Sequence, residues 1–229
     1  MLFRDNHELN EPRWTGAREV MAMSWPIILG SLSYTIMEFC DKAMIGHLGK
    51  AELGAAGSSS IWAWTMGTFW LGIIGCVSTF VAQCVGRGLK GDCARYAWQG
   101  IYLSFGSVVF ALVLWPLATP LFASMGHTPE VTQYETTYFK LRLIGYVAMA
   151  WMTAMAAFFQ AINRQHIPMY AAIVACTFNV FINLSLIYGT DALGLSGVFY
   201  VPRLGVAGAA IGTDIAQFLQ AFLLLWVFL

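Results

Sequence analysis

The sequence predicts an all-α integral membrane protein built as a bundle of six transmembrane helices. Three observations predict it. Hydrophobic residues make up 59% of the 229-residue chain and charged residues only 10%, against about 25% charged in an ordinary soluble domain. Five long runs carry no charge at all: Val20–Met37, Leu53–Gly86, Tyr96–Pro129, Leu143–Asn163 and Gln165–Thr190, with a sixth, Ile215–Leu229, reaching the C-terminus. A helix of about 20 apolar residues spans the roughly 30 Å hydrocarbon core, and a helix satisfies its own backbone polar groups where no water is present.

The elements follow from these runs and the turn residues between them. Helices are predicted near 18–46, 53–86, 95–121, 136–162, 167–189 and 206–229, after a polar segment over 1–17. That segment mixes charges and lacks a cleavable signal pattern, so the first helix inserts as its own signal. Gly46-His47-Leu48-Gly49-Lys50 closes the first helix. Gly86-Arg87-Gly88-Leu89-Lys90-Gly91-Asp92 separates the second and third. Met125-Gly126-His127-Thr128-Pro129-Glu130 separates the third and fourth, and Asn163-Arg164-Gln165-His166-Ile167-Pro168 links the fourth and fifth. A longer glycine-rich piece, 189–205, leads to the sixth. The last residues, Phe222 to Leu229, are still apolar. A helix normally emerges into a polar tail, so further helices are expected beyond them.

Lysines and arginines near helix ends set orientation. With the N-terminus cytoplasmic, seven cations (Arg4, Arg13, Arg18, Arg87, Lys90, Arg95, Arg164) lie inside. Four (Lys50, Lys140, Arg142, Arg203) lie outside. The expectation is a multi-pass protein of the plasma (inner) membrane. Net charge is zero, which removes the electrostatic case for nucleic acid. The five cysteines lack metal-type spacing and are odd in number, so they read as small apolar packing residues. Gly86-Arg87-Gly88-Leu89-Lys90-Gly91 matches GxGxxG in form only, because a dinucleotide site needs a preceding strand. No HExxH, GxSxG or paired aspartate motif supports an intramembrane enzyme.

One carboxylate, Asp41, falls within the first helix. An ionisable group there is expensive to keep and is a functional candidate. Tyr34, Glu38, Asp41 and Ile45 share a helix face by spacing. Burial disfavours the charged form of a carboxylate and a nearby cation favours it, so such a group takes up a proton, a sodium ion or a cationic drug in competition. The bland alternative is a structural ion pair with Lys42 or with another helix. Asn179 and Asn183, four apart, present two amides on one face. They can offer oxygens to a cation or hydrogen bonds to a carboxyl group, or simply bond between helices. Asn183-Leu184-Ser185 matches a glycosylation sequon but lies inside a span. Glu38 and Lys42 are spaced for an i,i+4 pair; alternatively Glu38 is a second protonatable group. Asp214 has no evident sequence partner. Pro26 interrupts the first helix and is a hinge candidate, whereas Pro116 and Pro120 read as terminators of the third. The many aromatics read first as lipid- and helix-facing residues and second as cavity lining.

Several patterns occur in order: Trp25-Pro26, Asp41, Met44-Ile45-Gly46-His47-Leu48-Gly49, Val81-Ala82-Gln83-Cys84-Val85-Gly86, Gln160-Ala161-Ile162-Asn163-Arg164-Gln165, Asn179 to Gly189, and Gly205-Val206-Ala207-Gly208-Ala209-Ala210-Ile211-Gly212-Thr213. From about Trp14 to the end, the chain resembles the N-terminal half of the multidrug and toxic compound extrusion (MATE) transporters. The resemblance implies one six-helix lobe of a twelve-helix, two-lobed transporter, with residues 18–229 forming the lobe and the C-terminal lobe missing. It implies a secondary antiporter that exports organic cations and drugs in exchange for protons or sodium ions, with no other cofactor. It implies that Asp41 is the cation-binding residue. It implies that Asn179, Asn183 and Thr213 contribute around it; Tyr34 is a candidate for the cavity lining, as are Glu38 and Asp214, which with Lys42 depart from the family's pattern. The hydroxyl of Thr213 can instead bond back to its own helix. The position of Asn183 is Asp in some members, and Tyr34 stands where many have Gln. A lipid-linked oligosaccharide flippase of the same superfamily is the alternative, countered here because only Lys42 reads as an intramembrane base. A non-transporting or inactive membrane fragment is the third reading. The implied partners are small organic cations, the lipid bilayer, and the missing lobe or a second copy.

Overall fold

The computed structural model describes residues 13–190 and 202–229. These form eight helices and, among the described residues, no strand. The helices are α1 (Arg13–Gly46), α2 (Lys50–Gly75), α3 (Val77–Gly86), α4 (Lys90–Ser104), α5 (Gly106–Ala123), α6 (Pro129–Ala161), α7 (His166–Tyr188) and α8 (Val206–Phe228). They compose six spans, because α2 with α3 and α4 with α5 each continue across one break. The described residues therefore form a six-span integral membrane bundle.

The second and third spans, each expected as one helix, are interrupted at Cys76 and Phe105, where small residues flank the break. At the first break Ser78 Oγ donates to the Gly75 carbonyl at 2.8 Å. At the second, Ser107 Oγ donates to the Ser104 carbonyl at 2.6 Å. Gly and Ser pairs are ordinary causes of helix kinks.

Several helices are already formed before their expected starts, α2 from Lys50 rather than 53 and α4 from Lys90 rather than 95. Helix α1 is already helical at Arg13, the first described residue, inside the segment assigned to a polar N-terminal stretch; residues 1–12, including Arg4, lie outside the described region. Helix α6 begins at Pro129, seven residues before the expected 136, because Thr128 is extended and Pro129 stands at the first helical position, where its missing N–H and fixed φ fit. The glycine-rich link over 189–205 lies mostly outside the described residues. The turn over Gly86–Gly91 is a helix-to-helix connection, with Gly88 at φ 75° and Leu89 N–H closing onto the Cys84 carbonyl at 3.0 Å. Asn163, at φ 60°, ends α6 in the same left-handed way, with Arg164 N–H on the Phe159 carbonyl at 2.8 Å.

Helix α6 is the axis of the bundle. Of its apolar window 56% is buried, against 11% for α1. It packs on α8, α2, α5, α4 and α3, while α7 packs on α8 and α1. A ring α1–α7–α8–α6–α2 closes on itself through the contact of α1 with α2, with α3, α4 and α5 outside it on the far side of α6. Between membrane helices there is little hydrophobic drive, so small residues set close approach. Ala148, Ala150, Ala154, Ala209, Ala210 and Ala216 are buried at these contacts. Large apolar side chains such as Phe39, Phe69, Phe181 and Trp226 point outward, as the lipid-facing surface of a span requires.

Candidate functional site

The ring of five helices surrounds a polar centre. Asp41 reaches it from the last third of α1 and is buried. Asn183 on α7 donates its amide to Asp41 Oδ1 at 2.5 Å. Thr213 on α8 donates its hydroxyl to Asp41 Oδ2 at 2.7 Å. Asn179, one turn from Asn183, completes the group: the Asn183 amide also reaches Asn179 Oδ1 at 3.3 Å, and the Asn179 amide lies 3.5 Å from Thr213 Oγ1. The structure thus brings together the four residues expected to bind the cation.

The Thr213 hydroxyl has one proton and two acceptors, since its oxygen also lies 2.8 Å from the Ala209 carbonyl. Bonding back to its own helix and bonding to Asp41 are therefore two settings of one group. With Asp41 ionised, Thr213 donates to it. With a proton on Asp41 Oδ2, Asp41 donates to Thr213 and the hydroxyl turns to Ala209. Both settings leave the Asp41 Oδ2 and Thr213 hydroxyl groups paired, which low dielectric favours. The Asn183 Oδ1 atom has no hydrogen-bond partner among the described residues. Gly212 is required beside it, because a Cβ there would run into that oxygen.

A second polar group adjoins the first. Asp214, next in sequence to Thr213, turns to α6 and forms an ion pair with Arg142, both side chains being nearly buried. Arg142 also lies 3.5 Å from Gln217 Oε1. Gly145 makes room for the pair, since a Cβ there would occupy the position of the Asp214 carboxylate. The field of Arg142 reaches Asp41, as does that of Glu38.

This corrects the sequence reading of Arg142. It counts there as an outside cation near a helix end, yet it lies well inside α6, as does Lys140, which bonds Thr119 Oγ1 at 3.2 Å. Lys42 is therefore not the only intramembrane base among the described residues: the start of α6 at Pro129 rather than 136 places Lys140 and Arg142 deeper in the span. Arg142 does not make the centre basic, because Asp214 neutralises it.

Glu38 forms an ion pair with Lys42 at 3.1 Å, and both are partly exposed. They line a cleft of about 460 Å³ between α1 and α2 with Tyr34, Ser60 and Trp64. Tyr34 also lines a second cleft of about 210 Å³ that includes Pro26, Met37, Met152 and Gln160. At the buried Pro26, the helix is tied to the start of α7: Gln165 Nε2 donates to the Met23 carbonyl at 3.3 Å. A further buried carboxylate, Glu135, was not singled out in the sequence. It accepts from Ser58 and lies 3.1 Å from His127 Nδ1, away from the Asp41 group.

An apolar ring that encloses a carboxylate, two amides and a hydroxyl defines a multi-pass membrane protein with an intramembrane ionisable site. The MatE family model matches residues 26–185. The chain belongs to the MATE family, whose members are transporters, and corresponds to an N-terminal half. A relative, multidrug resistance protein NorM of Burkholderia vietnamiensis, is 28% identical over 212 residues, covering 92% of this chain and 44% of the relative. Among solved structures, a multidrug resistance MATE family transporter of the MOP superfamily in its outward-facing conformation superposes with a TM-score of 0.77 at 23% identity, covering 90% of this chain and 44% of that one. The eukaryotic MATE transporter AtDTX14 gives 0.78 at 19% identity, covering 92% and 45%. Both likenesses establish the fold. The chain thus spans less than half the length of the relatives it matches.

Proposed function

We propose that this chain is the N-terminal lobe of a secondary active antiporter that exports organic cations and drugs in exchange for H⁺ or Na⁺. The observation that carries the reading is Asp41: a buried carboxylate held by donors from α7 and α8 rather than by a fixed cation. A group so placed can exchange one positive partner for another while its own two oxygens keep hydrogen-bond partners. A proton on Asp41 Oδ2 is accommodated by the turning Thr213 hydroxyl. A sodium ion would draw on the Asp41 carboxylate, the Thr213 oxygen and the amide oxygens of Asn179 and Asn183. A cationic drug in the adjoining clefts, past Tyr34 and Glu38, competes for the same negative charge. The relative's name, multidrug resistance protein, points to the same class of cargo. A net-negative centre suits a cation better than a phosphate-bearing lipid.

Alternating access requires two lobes rocking around a site between them, so the partner is a C-terminal lobe or a second copy. The Lys and Arg distribution supports a cytoplasmic N-terminus in the plasma (inner) membrane. Pro26, where the helix lacks one N–H, is the hinge at which α1 would bend. The test is dye efflux from cells carrying the whole transporter, parent against Asp41→Asn, with and without sodium. Asp41→Asn is expected to abolish cation-coupled efflux, and equal efflux by mutant and parent would remove Asp41 from the mechanism. Sodium dependence in the parent distinguishes the two coupling ions.

A further inference from the structure

The charges enclosed by the helix ring form a short ledger. Asp41 and Asp214 are buried, and Arg142 is nearly so and is paired with Asp214. Two carboxylates and one guanidinium leave one net negative charge. Glu38 and Lys42, at the mouth, cancel each other. The other buried carboxylate, Glu135, belongs to the separate group with Ser58 and His127. The two acids of the centre are adjacent in construction as well: Thr213 binds Asp41 and the next residue, Asp214, binds Arg142. The guanidinium is locked in place by Gln217 and by the space that Gly145 leaves for its partner.

We propose that Arg142 is a specificity-determining residue that fixes the charge this lobe exchanges: by occupying Asp214 it leaves Asp41 as the one uncompensated charge, so the site takes one monovalent cation and discriminates against dications. The inference rests on the reading of Asp41 as the cation site. It adds that the count is set by a residue that does not touch Asp41. An unpaired second carboxylate one residue from Thr213 would make the centre doubly negative and favour a doubly charged ligand, because unpaired charge at low dielectric is strongly disfavoured until it is neutralised.

The test is a charge series in purified protein reconstituted in nanodiscs. Equilibrium binding of tetraphenylphosphonium, a monocation, is compared with that of methyl viologen, a dication, at a pH of about 8.5, above the ordinary carboxylate range. Arg142→Gln raises the negative charge by one, Asp214→Asn removes it, and the double variant restores the parental count. Arg142→Gln is expected to shift preference toward methyl viologen by about tenfold or more, the scale of one poorly screened charge. Asp214→Asn is expected to weaken tetraphenylphosphonium binding by a similar factor. The double variant is expected to return to the parental preference, and Arg142→Lys to keep it. A preference that ignores this series, or a double variant that stays with Arg142→Gln, overturns the inference. If Arg142→Gln fails to fold, Asp214→Asn and the double variant carry the same comparison. Loss of fold in all three assigns the pair to structure alone and also overturns it. Asp41→Asn is the separate arm: unchanged tetraphenylphosphonium binding there sinks the reading of Asp41, whereas lost binding with a flat charge series sinks only the role of Arg142.

Discussion

Gly212→Ala isolates the support of Asp41 from Asp41 itself. In an unobstructed helix, Gly to Ala gains about 0.5–1 kcal/mol. At Gly212 the new methyl would fall on Asn183 Oδ1 and lie 3.1 Å from Ile182 Cγ2. Asn183 must then move, and its bond to Asp41 is broken. A hydrogen bond to a charged group contributes about 1.5–3 kcal/mol, and overpacking adds about 1–3 kcal/mol of strain. Against the propensity gain, the net loss is roughly 2–5 kcal/mol. At about 2–4 °C per kcal/mol for a chain of this length, the melting temperature should fall by at least about 4 °C. The assay is thermal unfolding in nanodiscs with Gly57→Ala as control, because a Cβ at Gly57 meets nothing within 4 Å. Gly57→Ala should match or exceed the parent. A Gly212→Ala protein as stable as Gly57→Ala would refute the packing that holds Asn183 against Asp41.

Two further outcomes follow from the same geometry. Glu38→Gln removes half of a partly exposed i,i+4 pair, a loss of about 0.3–0.5 kcal/mol, so efflux should stay within about twofold of the parent; a collapse like that of Asp41→Asn would show instead that Glu38 is itself a protonatable group of the cycle. Thr213→Val keeps the volume but removes the donor at 2.7 Å from Asp41, so it should lower stability by about 1.5–3 kcal/mol, while Thr213→Ser remains near the parent; identical melting of the two variants would deny Thr213 a role at the carboxylate.

What the sequence made legible, and what it hid, divides along local and non-local chemistry. A carboxylate inside an apolar span marks itself, and two asparagines four apart share a face whatever lies opposite, so Asp41, Asn179 and Asn183 were identifiable before any contact was known. Arg142 was not, because a charge-free run is a poor measure of where a helix starts. The run begins at Leu143 and the expected helix at 136, but the helix is formed from Pro129, so Lys140 and Arg142, expected near its outer end, lie deeper within it. The signal that places them was present: Thr128-Pro129 is an extended residue followed by a proline at the first helical position. A pattern of charges about two to four turns into such a helix then demands buried partners. Those partners lie 72 residues away for Arg142 and 77 for Glu135, beyond any periodicity. The consequence for function is that the acid which seemed to lack a partner, Asp214, is the one already neutralised. The acid flanked by a lysine in sequence, Asp41, is the one left open, because Lys42 turns away from it to Glu38. Sequence adjacency on a helix places consecutive residues on different faces, and that rotation separates the exchangeable charge from the fixed one.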